Sequence, residues 1–268
     1  TVASSFSVPG AGGIHNAGTL TLISSMVTGN FANALAGGIH NAGTLTVSSS
    51  TLSGNTSTSG AGGINSAGSL SVISSTLVSN SAFGAGMPGG INNSGMLTVT
   101  DSTVDSNQGM LAGGINNTAD LVMIGSRLTN NIGSANGGIN NLAALVVMSS
   151  TIANNSSNNN GGGISNVGTL TVVNSTIANN RANLGAGIHN SGALTVMTST
   201  FANNRANSLG GGLENSSRAT VENSTFFSNT AFISGGGIHN DQALTLTNST
   251  IAGTTGGGGL NNSGTANL

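Results

Sequence analysis

Cysteine, tryptophan, tyrosine and lysine are all missing from this 268-residue chain, and proline occurs twice. The lack of cysteine excludes disulfide staples but leaves the compartment undetermined. Charged side chains make up 4% of the residues, against roughly a quarter in typical proteins. Four arginines and a formal net charge of -2 cannot neutralise a phosphate backbone or form a polybasic membrane footprint, which excludes nucleic acid as a partner. The longest apolar run, Leu142 to Met148, is far shorter than the ~20 residues of a membrane helix, so no transmembrane segment is expected. No basic-then-apolar leader opens the chain.

What is abundant is glycine, with 44 residues, together with Asn, Ser and Thr. These uncharged side chains hydrate well and also suit tight turns and pleated strands. A shift of about 25 residues superposes the sequence on itself. The shared unit reads Gly-Gly-Ile-x-Asn-x-Gly-x-Leu-Thr-Val-x-x-Ser-Thr-Ile-x-x-Asn-x-Ala. With Ile14 as offset zero, its equivalents are Ile39, Ile64, Ile91, Ile115, Ile139, Ile164, Ile188, Leu213, Ile238 and Leu260, spaced by 22 to 27 residues. The variation falls before each Gly-Gly pair, as in Ala82 to Pro88, which marks a surface loop there.

Alternation assigns the strands, because a period of two turns one side chain inward and the next outward. Offsets six and eight are apolar, as in Leu45 with Val47 and Leu170 with Val172. After a short corner, small Ser stands at offset eleven (Ser50, Ser75, Ser102) and an apolar residue at thirteen (Leu52, Val104, Ile152, Phe201, Phe226). No helical period of 3.6 appears. The fold expected is an all-β, right-handed, single-stranded parallel β-helix filling residues 1–268 as one domain. It should have about ten coils of ~25 residues, with three short strands in each.

Two asparagine columns fall at bends. Asn16, Asn41, Asn93, Asn117, Asn141, Asn166, Asn190, Asn215 and Asn240 share offset two, while Asn30, Asn55, Asn80, Asn107, Asn131, Asn155, Asn180, Asn204 and Asn229 share offset sixteen. Stacked ~4.8 Å apart, amides can donate to the coil on one side and accept from the other. Both columns are therefore expected to be structural ladders. The repeat begins at offset twelve and stops at offset eight, mid-coil at both termini. That register suits either continuation into a longer chain or head-to-tail stacking of copies into a filament.

The Gly-Gly-Ile motif with Phe-x-x-Asn (Phe201 to Asn204, Phe226 to Asn229) resembles the repeats of chlamydial polymorphic outer-membrane proteins and other bacterial surface β-helices. The resemblance covers essentially the whole chain. It implies an extracellular or bacterial cell-surface location, an adhesive role and a glycan or host-surface ligand.

Polysaccharide-processing β-helices need clustered carboxylates or basic residues on one outer face, and this chain has few to spare. His189, Glu214 and His239 occupy offset one of successive coils. Such a trio is a candidate for a divalent metal, although offset one elsewhere holds plain polar residues such as Asn65, Asn92, Asn116 and Ser165. His15 and His40 form a similar pair, and Arg181 and Arg205 stack at offset seventeen, where they repel each other mildly unless an acid or a glycan ligand sits between them; the default reading is a solvated surface. Outward Thr columns suggest a further alternative, ice binding: Thr51, Thr76, Thr103, Thr151, Thr176, Thr200, Thr225 and Thr250 at offset twelve, and pairs such as Thr44 with Thr46 at offsets five and seven. Arg127, Asp120, Val122 and Val146 interrupt these arrays. The expectation is a non-enzymatic structural or adhesive solenoid without a cofactor.

Overall fold

The computed structural model describes residues 1–268 and contains strands and turns but no helix. Each strand pairs in parallel with its equivalent in the neighbouring coil, and three of the four sheets so formed have eleven strands, as many as the anchors from Ile14 to Leu260. The register is the one read from the anchors: Ile39 lies opposite Ile64, and Leu45 opposite Leu70. The parallel β-helix inferred from the 25-residue period is therefore present.

Most coils have four strands, not three. The coil of Ile39 runs through Ile39–Asn41, Thr44–Ser48, Thr51–Ser53 and Thr56–Ser57. The fourth strand belongs to a ten-stranded sheet of its own. It escapes a search for alternation because most of its members have two residues, the outward one varied and the inward one a buried Ala, Ser or Gly. A small inward residue is enforced from across the coil. A Cβ added to Gly62 would lie 2.5 Å from the backbone nitrogen of Ser81, and one on Gly113 2.4 Å from that of Ile132. Two backbone layers face each other here with no room for side chains, which explains the first glycine of the Gly-Gly pair.

The other three strands supply the core. Their inward residues form one continuous cluster of 35 buried side chains, in which Ile39, Leu45, Val47 and Leu52 from one coil stack on Ile64, Leu70, Val72 and Leu77 from the next. Phe201 and Phe226 stack with centroids 4.4 Å apart. In the coil of Phe226 the residue at offset six is Ala219 rather than leucine. The smaller side chain offsets the added ring volume, as a close-packed interior requires.

Two tight corners per coil explain the polar columns. Offset ten has positive φ (Ser49 at 49°, Ser74 at 46°, Asn174 at 48°), as does offset fifteen (Gly54 at 61°, Asn154 at 58°, Asn179 at 57°). Glycine and short polar residues tolerate this left-handed geometry best. Each corner is followed by an inward polar residue. After the first comes serine: the Ser50 backbone N–H donates to Ser75 Oγ at 3.0 Å, and Ser75 Oγ donates to the Ile73 carbonyl at 2.7 Å. After the second comes asparagine. Asn55 Nδ2 donates to Asn80 Oδ1 at 2.9 Å and to the Val27 carbonyl at 2.9 Å.

The offset-two column behaves likewise, with Asn117 Nδ2 donating to Asn141 Oδ1 at 2.8 Å and to the Ala144 carbonyl at 3.1 Å. Ser66 interrupts it, accepting from Asn41 at 3.0 Å and passing its own proton to the Gly68 carbonyl at 3.2 Å. Both expected asparagine ladders thus exist as buried hydrogen-bond chains, and the serine column is a third.

Candidate functional site

The charged and ring-bearing residues of offset one lie on the strands Ile188–Asn190, Leu213–Asn215 and Ile238–Asn240, where His189 opposes Glu214 and Glu214 opposes His239. This column points away from the core yet is largely covered: Glu214 is 3% exposed and His239 7%, as are their equivalents Asn116 and Asn140 at 6%. The cover is the loop before each Gly-Gly segment. Gly210 (φ 63°) and Gly235 (φ 65°) turn it so closely over the column that an added Cβ would fall 2.6 Å from Glu214 Cβ and 2.7 Å from His239 Cβ respectively. The column is outward and polar, as read, but it is covered in its later coils.

The trio separates into two pairs. His189 Nδ1 contacts Glu214 Oε2, and Ser216 Oγ donates to Glu214 Oε1. His239 turns elsewhere, with Nδ1 3.1 Å from Ser234 Oγ and Nε2 3.2 Å from Asp241 Oδ1. No three His, Asp or Glu side chains converge in metal-ligand geometry. In the preceding coils the plain polar residues of the same column form an amide chain. Asn140 Nδ2 donates to Asn116 Oδ1 and Asn116 Nδ2 to Asn92 Oδ1, both at 2.8 Å, and Asn92 Nδ2 to Asn65 Oδ1 at 2.9 Å. At its start the rings of His15 and His40 stack with centroids 5.1 Å apart. Burial, and then the neighbouring His15, hold the His40 pKa below its ordinary value.

Asp105, at outward offset fourteen, collects Thr129 Oγ1 at 2.5 Å, Asn130 Nδ2 at 2.7 Å and Ser106 Oγ at 2.8 Å. Burial pushes its carboxyl up, but these three donors and the Arg127 charge outweigh that and hold it below the ordinary range. The cluster pins together two coils where Arg127 replaces threonine.

The Thr columns are in register as read. Thr151, Thr176, Thr200, Thr225 and Thr250 oppose one another in turn, and Thr103 meets Arg127. At offset seven, Thr171, Thr195, Thr220 and Thr245 do the same, while Val122 and Val146 fill two central places.

A recess of about 420 Å³ forms a groove over the second corner of four coils. None of its nine lining residues is hydrophobic and none is acidic. Arg181 and Arg205 stand directly opposite each other on its floor, at the start of the two longest strands in their sheet, Arg181–Leu184 and Arg205–Leu209. Asn154, Asn179 and Asn203 form its wall, each at a left-handed corner with its side chain exposed. Sequence reading finds the arginine pair but not these amides. The signal available is that they immediately precede the ladder residues Asn155, Asn180 and Asn204. No protein-family model matches the chain, and no curated protein or solved structure is significantly similar to it.

Proposed function

We propose that this chain is a non-catalytic structural or adhesive β-solenoid that works outside the cell, at a bacterial surface. The observation that carries this reading is the set of ladders. The residues that define the repeat, from Asn16 to Asn262 and from Asn30 to Asn229, spend their amides on neighbouring coils. A residue saturated by stacking serves rigidity, not chemistry. Eleven coils at ~4.8 Å per strand make a rod about 50 Å long, a suitable carrier for surface features that repeat along its length.

Beads coated with the purified chain should be retained on host-cell or polysaccharide-coated surfaces, and beads coated with the heat-unfolded chain should not. Equal retention of both, or degradation of the surface polysaccharide by the folded chain, would remove the reading.

The in-register hydroxyls of offset seven favour ice binding as a second reading. Thr171, Thr195, Thr220 and Thr245 form an unbroken run on a five-residue-wide sheet, and valine at Val122 and Val146 has the shape of threonine without its hydroxyl. Thermal hysteresis that disappears on replacing Thr195 and Thr220 by tyrosine would support it. Absence of hysteresis in the parent chain would end it.

A further inference from the structure

The geometry points to the groove of Arg181 and Arg205 as a binding site for an extended acidic glycan, its carboxylates held by the two guanidinium groups and its hydroxyls by the amides of Asn154, Asn179 and Asn203. This names a ligand for the adhesive reading and rests on it.

Four observations converge. Like charges directly opposite each other on paired strands are destabilising, yet two of the chain's four cations are placed that way. Neither is relieved by an ion pair: the carboxylates that form such contacts, Glu214 and Asp241, are engaged by His189 and His239. The surrounding groove supplies polar groups alone. The side chains of Asn154, Asn179 and Asn203 make no hydrogen bond within the protein, whereas Asn155, Asn180 and Asn204 beside them are fully engaged in the ladder. The exposed amides are therefore free donors and acceptors facing solvent.

The spacing also selects the ligand. Equivalent groups recur every coil, ~4.8 Å along the axis, so the groove offers a linear series of guanidinium and amide positions to a polymer of similar repeat. A guanidinium binds a carboxylate through two parallel N–H···O bonds, and neutral amides suit sugar hydroxyls. Two arginines are too few to hold a densely charged polynucleotide. They match a chain whose carboxylates are spaced one per sugar.

The test is affinity electrophoresis of the full chain through gels containing a polyuronate or a neutral glucan, with folding of each variant checked by circular dichroism. The expected result is retardation by the polyuronate only. R181Q/R205Q should weaken it by about tenfold per arginine, and R181K/R205K, which keeps the charge but loses the paired bonds, should fall between. R127Q/R218Q removes the same charge from other positions and should bind like the parent.

No retardation of the parent, equal loss in the two glutamine variants, or retardation by polyphosphate as strong as by polyuronate would overturn the assignment. New reducing ends on the polyuronate would overturn the non-catalytic reading instead, while leaving the groove as its binding site.

Discussion

The carboxamide oxygen of Asn155 accepts two hydrogen bonds from a single residue of the preceding coil, from Asn131 Nδ2 at 3.0 Å and from the Asn131 backbone N–H at 2.9 Å. Asn131 repeats the arrangement one coil earlier, where its oxygen takes both donors of Asn107. It also donates to the Val104 carbonyl at 3.0 Å. Asn131→Ala therefore orphans the Asn107 backbone N–H in a buried site, at ~1 to 3 kcal/mol for a group left unsatisfied, and removes the side-chain donor to the Val104 carbonyl. Urea unfolding should show a clear drop in midpoint. An unchanged midpoint would mean that water replaces the ladder.

The buried contact of His189 with Glu214 gives a contrast between single and double substitution. Removing one partner leaves the other's buried polar atom without its contact, and His189→Ala is expected to cost ~1 to 3 kcal/mol. Replacing both by asparagine puts amides where Asn116 and Asn140 already form a chain. The double variant His189→Asn with Glu214→Asn should recover most or all of the parent stability. A double variant weaker than either single one would show that the pair stabilises in its own right.

Acid sensitivity should trace in part to His40. Its pKa is lowered in the folded chain from 6.5, so the unfolded chain binds the proton more readily and stability rises with pH. This contribution is complete above pH 6.5 and is lost as the pH falls below it. Unfolding midpoints measured on either side of that value should differ less in His40→Asn, which installs the residue found at the next coil's Asn65. An identical slope in parent and variant would assign the acid sensitivity elsewhere.

The close approach at Gly62 predicts a steric effect. Its added Cβ would meet the nitrogen and carbonyl oxygen of Ser81 at 2.5 and 2.6 Å, both backbone atoms that cannot rotate away. Gly62→Ala should destabilise by ~1 to 3 kcal/mol through overpacking. Differential scanning calorimetry would show this as a lowered Tm, and an unaffected Tm would mean that the fourth sheet can slide outward.

The coil was legible because stacking forces equivalent residues into one environment, so that Ile39, Ile64 and Ile91 announce the core and Asn55, Asn80 and Asn107 the corner. The fourth strand was hidden for the complementary reason. Its inward residues are small, as at Ala32, Ser57 and Ala82, and a Cβ added at inward Gly109 or Gly133 would meet the Gly89 or Gly113 nitrogen at 2.5 or 2.7 Å, so there is no hydrophobic alternation to read. The burial of the offset-one column is not legible because a strand's period gives direction but not what lies over it. Only the positive-φ glycines of the covering loop reveal that Glu214 is buried. The arginine pair could be placed from spacing alone, but the free amides beside it depend on which side chains the ladders leave unused.

Direction is built into the ladders. At offsets two and sixteen the amide nitrogen points toward the later coil, as in Asn117 to Asn141 and Asn131 to Asn155. The opposite sense occurs in the short Asn65 to Asn140 run and in single bonds such as Asn174 to Ser149. Parallel backbone strands contribute little net dipole, but oriented side-chain amides add to one another. The stack is consequently an electrically polar object along its axis, positive toward its C-terminal coils, and rods lying side by side will favour opposite orientations.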